Sequence, residues 1–293
     1  MHAVLAVVCL AAAAVLLQAW PATFPSATAE NAPRAAGPAL GRGGDGSWPT
    51  CAHPRAQSLV PSPAFAIVGL NDGDPGTRSA CLQRTLRWAA TATGGTTQPR
   101  IAFYLMAADP WQPAERRWTR PVWPRSAVIR GERVAVPGTY GGPCTGSHTS
   151  RACAYLFGWS AAARSAALPG VPEPARHRYW IDVENEADFS ADRLFNQAIV
   201  EGMVAYVTTP ASRGGLGSSA GLYSNVGYWA AIVGPLRRDS PLAGLDNWYP
   251  IGPGGEADAR RAFRTLEPFT PGSRITIVQV VRGAADIDYA PRT

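Results

Sequence analysis

Short apolar segments and amphipathic segments alternate along most of this chain, and this alternation constrains its fold more than any other feature. Apolar runs of strand length lie at 65–70, 100–106, 178–184, 220–225, 245–249 and 274–281. Segments with a helical pattern separate them, at 79–92, 152–168, 191–207, 228–233 and 256–266. Strands that are apolar throughout and alternate with helices are typical of a parallel sheet covered by helices. The sequence therefore predicts an α/β fold.

Two α/β architectures fit this order, a (β/α) barrel and an open doubly wound sheet. No glycine-rich phosphate-binding motif follows any of the predicted strands, which argues against the nucleotide-binding versions of the open sheet. We therefore expect a single domain with a TIM-like (β/α) barrel of parallel strands. A full barrel needs eight strands. The two that are not evident are expected in the irregular region 107–152, near 127–129 and 133–136.

The N-terminal segment has the pattern of an export signal. Residues 3–19 contain no charged side chain, and the small residues 27–29 form a suitable cleavage site. No Lys or Arg precedes the apolar run, so an uncleaved anchor stays the alternative. We predict a signal peptide or anchor at 1–29, a linker rich in Pro, Ala and Gly at 30–60, and the barrel domain at 61–293. The protein is then secreted or held in the cell envelope.

Charge and hydropathy limit the partners. The formal net charge is +6, but the arginines are scattered and form no basic stripe interleaved with aromatic residues. Nucleic-acid binding is therefore not predicted. Apart from the N-terminus, no apolar run approaches 18 residues. Contact with a membrane is expected only through an uncleaved N-terminal segment, and the domain is expected to be a monomer.

The cysteine count fits an exported protein with disulfides. With Cys9 in the apolar N-terminal run set aside, four cysteines remain, and three pairings of them are possible. We favour Cys144 with Cys153, which closes a short loop, and Cys51 with Cys81. A zinc site is the competing interpretation, but no zinc-ligand spacing is present and the chain has only four His. No metal and no organic cofactor is predicted.

The segment 179–185 carries the strongest chemical signal. Side chains alternate between the two faces of a strand, so Asp182 and Glu184 point the same way. In a barrel they would face the interior at the carboxyl end of the strand, where active sites of such barrels lie. Two close carboxylates repel each other as anions, so one tends to keep a proton and can act as a general acid. The alternative is that either acid pairs with Arg or caps the next helix.

The order of the motifs resembles that of the family 25 glycoside hydrolases, the Chalaropsis-type lysozymes. Asp182-Val-Glu184 matches the D-x-E strand of that family, and Gly221-Leu-Tyr223-Ser-Asn225 matches a later strand. Further matches are Trp248, Gln279 and the closing pair Asp286 and Asp288. Two positions depart from the family pattern: Asn71 stands where the first strand should end in Asp, and no aromatic residue flanks Gln279.

The resemblance implies hydrolysis of β-1,4 glycosidic bonds in peptidoglycan. Glu184 would protonate the leaving oxygen, and Asp182 would stabilise positive charge at the sugar or orient a substrate amide. The residues predicted to bind substrate are Asn71, Tyr104, Tyr223, Trp248, Gln279 and Asp288. Trp111, Trp118 and Trp123 of the long loop either stack on sugars or only fix the loop.

Other functions stay open at this stage. The departure at Asn71 favours a non-catalytic barrel that binds wall glycan or a protein partner, and a purely structural exported domain is a third possibility. The G-x-S-x-G pattern at 217–221 does not indicate a serine hydrolase. It precedes a strand instead of following one, and no His lies after residue 177.

Overall fold

Eight strands close into one barrel in the computed structural model, which describes residues 39–46, 60–71, 73–111, 123–185, 188–283 and 285–293. The barrel strands, in their order around the barrel, are β1 (Leu40–Gly46), β2 (Ala66–Gly69), β3 (Ile101–Met106), β6 (Arg178–Asp182), β7 (Ala220–Tyr223), β8 (Asn247–Pro253), β9 (Ile275–Arg282) and β10 (Ala285–Pro291). Two short strands, β4 (Val128–Ile129) and β5 (Glu132–Arg133), form a separate antiparallel hairpin. The closed barrel confirms the predicted fold class.

One strand runs against the rest. Within the barrel, β1, β2, β3, β6, β7, β8 and β9 are each parallel to their neighbours among these seven strands. In contrast, β10 is antiparallel to both β9 and β1. The expectation of parallel strands throughout is therefore wrong for β10. The reason is the connection, because β9 ends at Arg282 and β10 begins at Ala285. A link this short makes a hairpin, while a parallel pair needs a crossover of a dozen or more residues.

The two strands missing from the sequence prediction are β1 and β10, not segments of the long loop. The residues predicted near 127–129 and 133–136 form the hairpin β4–β5 outside the barrel. Residues 40–46 fall in the predicted linker, and that prediction is wrong for them. They are rich in glycine because Phe65, directly before the neighbouring strand β2, leaves no room for a side chain. A Cβ on Gly43 would come within 2.6 Å of the Phe65 carbonyl oxygen.

Five helices follow the predicted ones closely. They are α1 (Leu82–Ala89), α2 (Arg151–Ala166), α3 (Arg193–Thr208), α4 (Val226–Ile232) and α5 (Glu256–Thr265). The helices α2 and α3 are in backbone contact through two glycines. A Cβ on Gly158 would lie 2.0 Å from the Ile199 carbonyl oxygen, and one on Gly202 would lie 1.9 Å from that of Tyr155. This close pairing explains why α2 is buried on nearly all sides.

The barrel separates two apolar regions. The larger one lies between strands and helices and includes Ile181 and Val183 of the segment that carries the D-x-E motif. A smaller, aromatic cluster contains Tyr104, Trp180 and Trp248. Trp180 therefore alternates with Ile181 as expected for a strand with both faces buried. The site described below is built beside this aromatic cluster.

The disulfide Cys144–Cys153 is present, with the two Cα atoms 4.7 Å apart, and confirms that part of the predicted pairing. It ties the end of the long loop to the first turn of α2. Cys81 also takes part in a disulfide, and its predicted partner Cys51 lies outside the described residues. The predicted signal or anchor at 1–29 lies outside them as well. No helix among the described residues is long and apolar enough to span a membrane.

Candidate active site

Carboxylates from three strands converge at one end of the barrel. Asp45 lies near the end of β1, Asp182 ends β6, and Glu184 follows two residues later. Asp286 and Asp288 lie at the start of β10. Because β10 is antiparallel to its neighbours, its first residues sit at the edge where the parallel strands end, and Asp288 pairs in register with Gln279 of β9. The convergence follows directly from the strand directions.

A chain of hydrogen bonds links this end of the barrel across three strands. The Tyr223 hydroxyl donates to Oε1 of Gln279 at 2.9 Å, and Nε2 of Gln279 donates to Oδ2 of Asp45, also at 2.9 Å. Tyr223 comes from β7, Gln279 from β9 and Asp45 from β1. The amide of Gln279 is therefore fixed in orientation, with its oxygen toward the phenol and its nitrogen toward the carboxylate.

Two carboxyl oxygens of the cluster are buried without a hydrogen-bond partner. Asp288 is fully buried and accepts from Nε1 of Trp248 at 2.9 Å through Oδ1, while its Oδ2 has no partner. Asp182 is 5% exposed, and its Oδ1 also has no partner. Buried polar atoms normally have a partner, and unsatisfied ones often mark a functional site. Both atoms therefore point to a site that acts on a ligand.

The pKa of every acid in the cluster is raised. Burial is the largest cause for Asp45, and the charges of Asp286 and Asp288 add to the rise of its pKa. Burial and then the charge of Glu184 raise the pKa of Asp182. The pKa values of Asp286 and Asp288 are raised by burial as well. None of the ion pairs among the described residues involves these acids. The predicted alternative of pairing with Arg is not what the described residues show.

Glu184 differs from Asp182 in its position. It lies beyond the end of β6 and is only partly buried. Burial and the charge of Asp286 raise the pKa of Glu184, while the neighbouring Tyr223 hydroxyl opposes part of the rise. Asn185, directly after it, has a left-handed φ of 60°, and its side-chain amide donates to Asp188 at 2.6 Å. This turn places Glu184 at the mouth of the barrel, with a carboxyl group that keeps its proton to higher pH than usual.

The predicted substrate-binding residues fall into two groups. Tyr223, Trp248, Gln279 and Asp288 all belong to the hydrogen-bonded cluster described above. Tyr104 is buried in the aromatic cluster with its ring edge-on to Trp248 at 6.2 Å.

Asn71 is held by the backbone of β3. It is 1% exposed, and its amide exchanges two hydrogen bonds with the backbone of Met106, at 2.9 and 3.1 Å. This geometry gives Asn71 a structural role at the end of β3, and its contact with substrate stays a prediction.

Asp45 was missed by the sequence reasoning. The first strand of the barrel is β1, not the strand before Asn71, and it ends in Gly44-Asp45-Gly46. The sequence predicts the first barrel strand at 65–70, which starts the barrel one strand too late. Residues 41–46 contain no apolar side chain, so no local hydrophobic pattern indicated a strand there.

The long-loop tryptophans take different positions. Trp123 packs against Phe157 and Phe195 of helices α2 and α3, with ring centroids 5.5 and 6.1 Å apart, and so fixes the loop. Trp111 is 40% exposed and stacks on His148 at 3.5 Å. Trp118 lies outside the described residues. Of the two described tryptophans, Trp111 is the more exposed.

Replacing Asp45 by Asn should lower the activity of this site about 10²-fold, since one carboxyl group of the cluster is lost while the amide oxygen keeps the bond from Gln279. Asn71→Ala should instead destabilise the fold by about 1–3 kcal/mol, because the Met106 backbone loses its partners, and leave activity per folded molecule unchanged. Initial rates and urea unfolding of both variants test this. Normal activity in Asp45→Asn would exclude the β1 acid from the site.

Together, fold and site define a closed eight-stranded barrel with one reversed strand and a cluster of acids where the parallel strands end. No family model matches the chain, and no curated protein matches its sequence. Among solved structures, the chain is similar to a family GH25 lysozyme from Aspergillus fumigatus. The identity is 10% and the TM-score 0.45, over 87% of this chain and 95% of that one. Within the described ranges, no group of three or more His, Cys, Asp or Glu is arranged to hold a metal ion.

Proposed function

We propose that this protein is an exported glycoside hydrolase that cleaves β-1,4 glycosidic bonds of peptidoglycan. The observation that carries the proposal is the placement of Asp182 and Glu184 at the end of β6, among acids whose pKa values are all raised. Glycosidases use a pair of carboxyl groups, one of which must hold a proton at the working pH. Glu184 fits this requirement by its raised pKa and its position at the mouth.

The roles of the two acids follow from their surroundings. Glu184 is the more accessible and donates its proton to the leaving glycosidic oxygen. Asp182 lies deeper and stabilises the positive charge that develops on the sugar, or orients a substrate amide that attacks the anomeric carbon. Asp45, held by Gln279, adds a further negative group. It comes from β1, which lies three strands away from β6 around the barrel. Tyr223 donates to Gln279 and lies near Glu184, where its hydroxyl lowers the pKa of the acid and so opposes part of the rise caused by burial.

Export agrees with the disulfide chemistry. Disulfides persist in oxidising compartments outside the cytoplasm. This protein has such a disulfide, Cys144–Cys153. The proposed substrate, wall glycan, lies in the same compartment. We place the protein in the secreted or envelope fraction, with the N-terminal segment as its export signal or its anchor.

A non-catalytic glycan-binding barrel is the second candidate. The sequence suggested this candidate because Asn71 stands where an acid was expected. Asp45 supplies a carboxylate from the first strand instead. No observation therefore favours the non-catalytic candidate over the hydrolase.

Purified full-length protein should release new reducing ends from purified peptidoglycan. Borohydride reduction followed by acid hydrolysis then identifies the reduced sugar: muramitol supports a muramidase, while glucosaminitol would indicate cleavage of the other bond. Retention of the protein on insoluble peptidoglycan without any reducing ends would contradict the hydrolase and support the glycan-binding alternative.

A further inference from the structure

A second cavity, of about 690 Å³, lies between the hairpin β4–β5 and helix α2. It shares no residue with the carboxylate cluster. Its lining includes Trp123, Arg125, Arg130, Ser160 and Arg164. Three of these are arginines, and none is an acid. The cavity is therefore positive, in contrast to the barrel mouth.

Arg164 is a partly buried cation that forms no ion pair with any described carboxylate. It lies in the last turn of α2, and burial lowers the pKa of its guanidinium. Its hydrogen bond goes to the Ser160 hydroxyl, at 2.6 Å. In the part of the chain that the structure describes, no carboxylate pairs with Arg164. A partly buried cation without an anion is unfavourable, because it has lost water and gained no counter-charge.

Arg130 is held in a strained backbone conformation. Its φ is 54°, and the following Gly131 has a φ of 87°, as in a tight hairpin turn that favours Asn or Gly at both positions. Among the described residues, the Arg130 guanidinium donates to the Ala163 carbonyl alone, at 3.5 Å. A strained residue that persists where Gly or Asn would fit better suggests a functional reason for its side chain.

The rest of the lining is suited to an apolar or aromatic group. Val128, Ile129 and Ala167 contribute apolar surface beside the Trp123 ring. This apolar surface lies in the same cavity as the three arginines, so the lining combines positive charge with a face for an apolar group.

We propose that this cavity binds an oxyanion, a phosphate or a carboxylate, carried on an apolar or aromatic group. Guanidinium groups bind both oxyanions through paired, charge-assisted hydrogen bonds. Arg125, Arg130 and Arg164 supply the positive charge, and Ser160 adds a hydroxyl beside Arg164. The volume falls in the range of about 300–1,000 Å³ that is usual for small-molecule sites, which is more than a free ion needs.

Calorimetric titration of the full-length protein at low salt tests the proposal, with phenyl phosphate, benzoate and phenol as ligands. We expect phenyl phosphate or benzoate to bind, the tighter of the two identifying the oxyanion, and phenol not to bind. Arg164→Gln should weaken binding at least 10-fold. Arg264→Gln, an exposed arginine in the last turn of α5, is the matched control and should bind as the wild type does. Equal binding of phenol, or unchanged binding in Arg164→Gln, would overturn the proposal.

A second variant separates binding from folding. Arg130→Asn should relieve the strained turn and raise Tm by about 1–3 °C, while weakening anion binding several-fold. A protein that is more stable yet binds less tightly supports a ligand role for Arg130. Unchanged affinity in this well-folded variant would show that the arginine at this position does not serve the cavity.

Discussion

Glu184→Gln should reduce the release of reducing ends from peptidoglycan about 10³-fold while the fold stays intact. Glutamine keeps the size of the side chain but has no proton to give to the leaving oxygen, and general acid catalysis contributes about 10²–10⁴-fold in rate. The pKa of Asp182 is raised first by burial and then by the negative charge of Glu184. Because the glutamine carries no charge, the pKa of Asp182 should be lower in this variant.

The pH dependence of the wild type follows from the same group. Glu184 acts in its protonated form, so activity falls as the pH rises through its pKa. Because burial and Asp286 raise that pKa, the fall occurs at a higher pH than for an ordinary glutamic acid. Initial rates measured across the pH range locate the pH at which activity falls.

Glu267→Gln is the matched control, since Glu267 is exposed and lies outside the cluster. Its rate should equal that of the wild type. Circular dichroism and thermal unfolding should show both variants folded. A Glu184→Gln protein that still releases reducing ends at the wild-type rate would remove Glu184 from the chemistry.

Arg237→Leu should destabilise the protein by about 3–5 kcal/mol, because it leaves a buried carboxylate without its counter-charge. Glu201 of helix α3 is fully buried and accepts from both Arg237, at 3.2 Å, and Ser240, at 2.7 Å. The Arg237 guanidinium also lies over the Tyr140 ring, 4.8 Å from its centroid. The network thus joins the long loop, α3 and the segment after α4.

Arg238→Leu provides the control for this prediction. Arg238 is adjacent in sequence, is exposed, and forms none of the described ion pairs. Its replacement should change the free energy of unfolding by less than about 0.5 kcal/mol. Urea unfolding of the two variants gives the comparison. Equal stabilities would contradict the role of Arg237 as the counter-charge of Glu201.

The sequence was sufficient to predict the features that depend on local pattern. Apolar runs located the strands β2, β3 and β6 to β9. Alternation along β6 placed Ile181 and Val183 in the helix layer and Asp182 on the opposite face. The closeness of Cys144 and Cys153 in sequence made their disulfide the favoured pairing.

Features that depend on distant partners were not predictable in this way. The strand β1 is almost without apolar side chains because Phe65 fills the space beside Gly43, and no local pattern shows that need. The direction of β10 depends on the short link after Arg282. Asp45 was therefore hidden in an apparent linker, although it is hydrogen-bonded to a residue more than 200 positions away.

The pairing of β1 with β10 has a consequence for when the site exists. Asp45 comes from the first barrel strand, and Asp286 and Asp288 come from the last, so these acids meet only after the final strand has docked. A chain still being synthesised, or one clipped before residue 285, has the D-x-E segment but an open sheet and an incomplete cluster. The fold itself thus delays any activity of the cluster until the whole barrel has been made and closed.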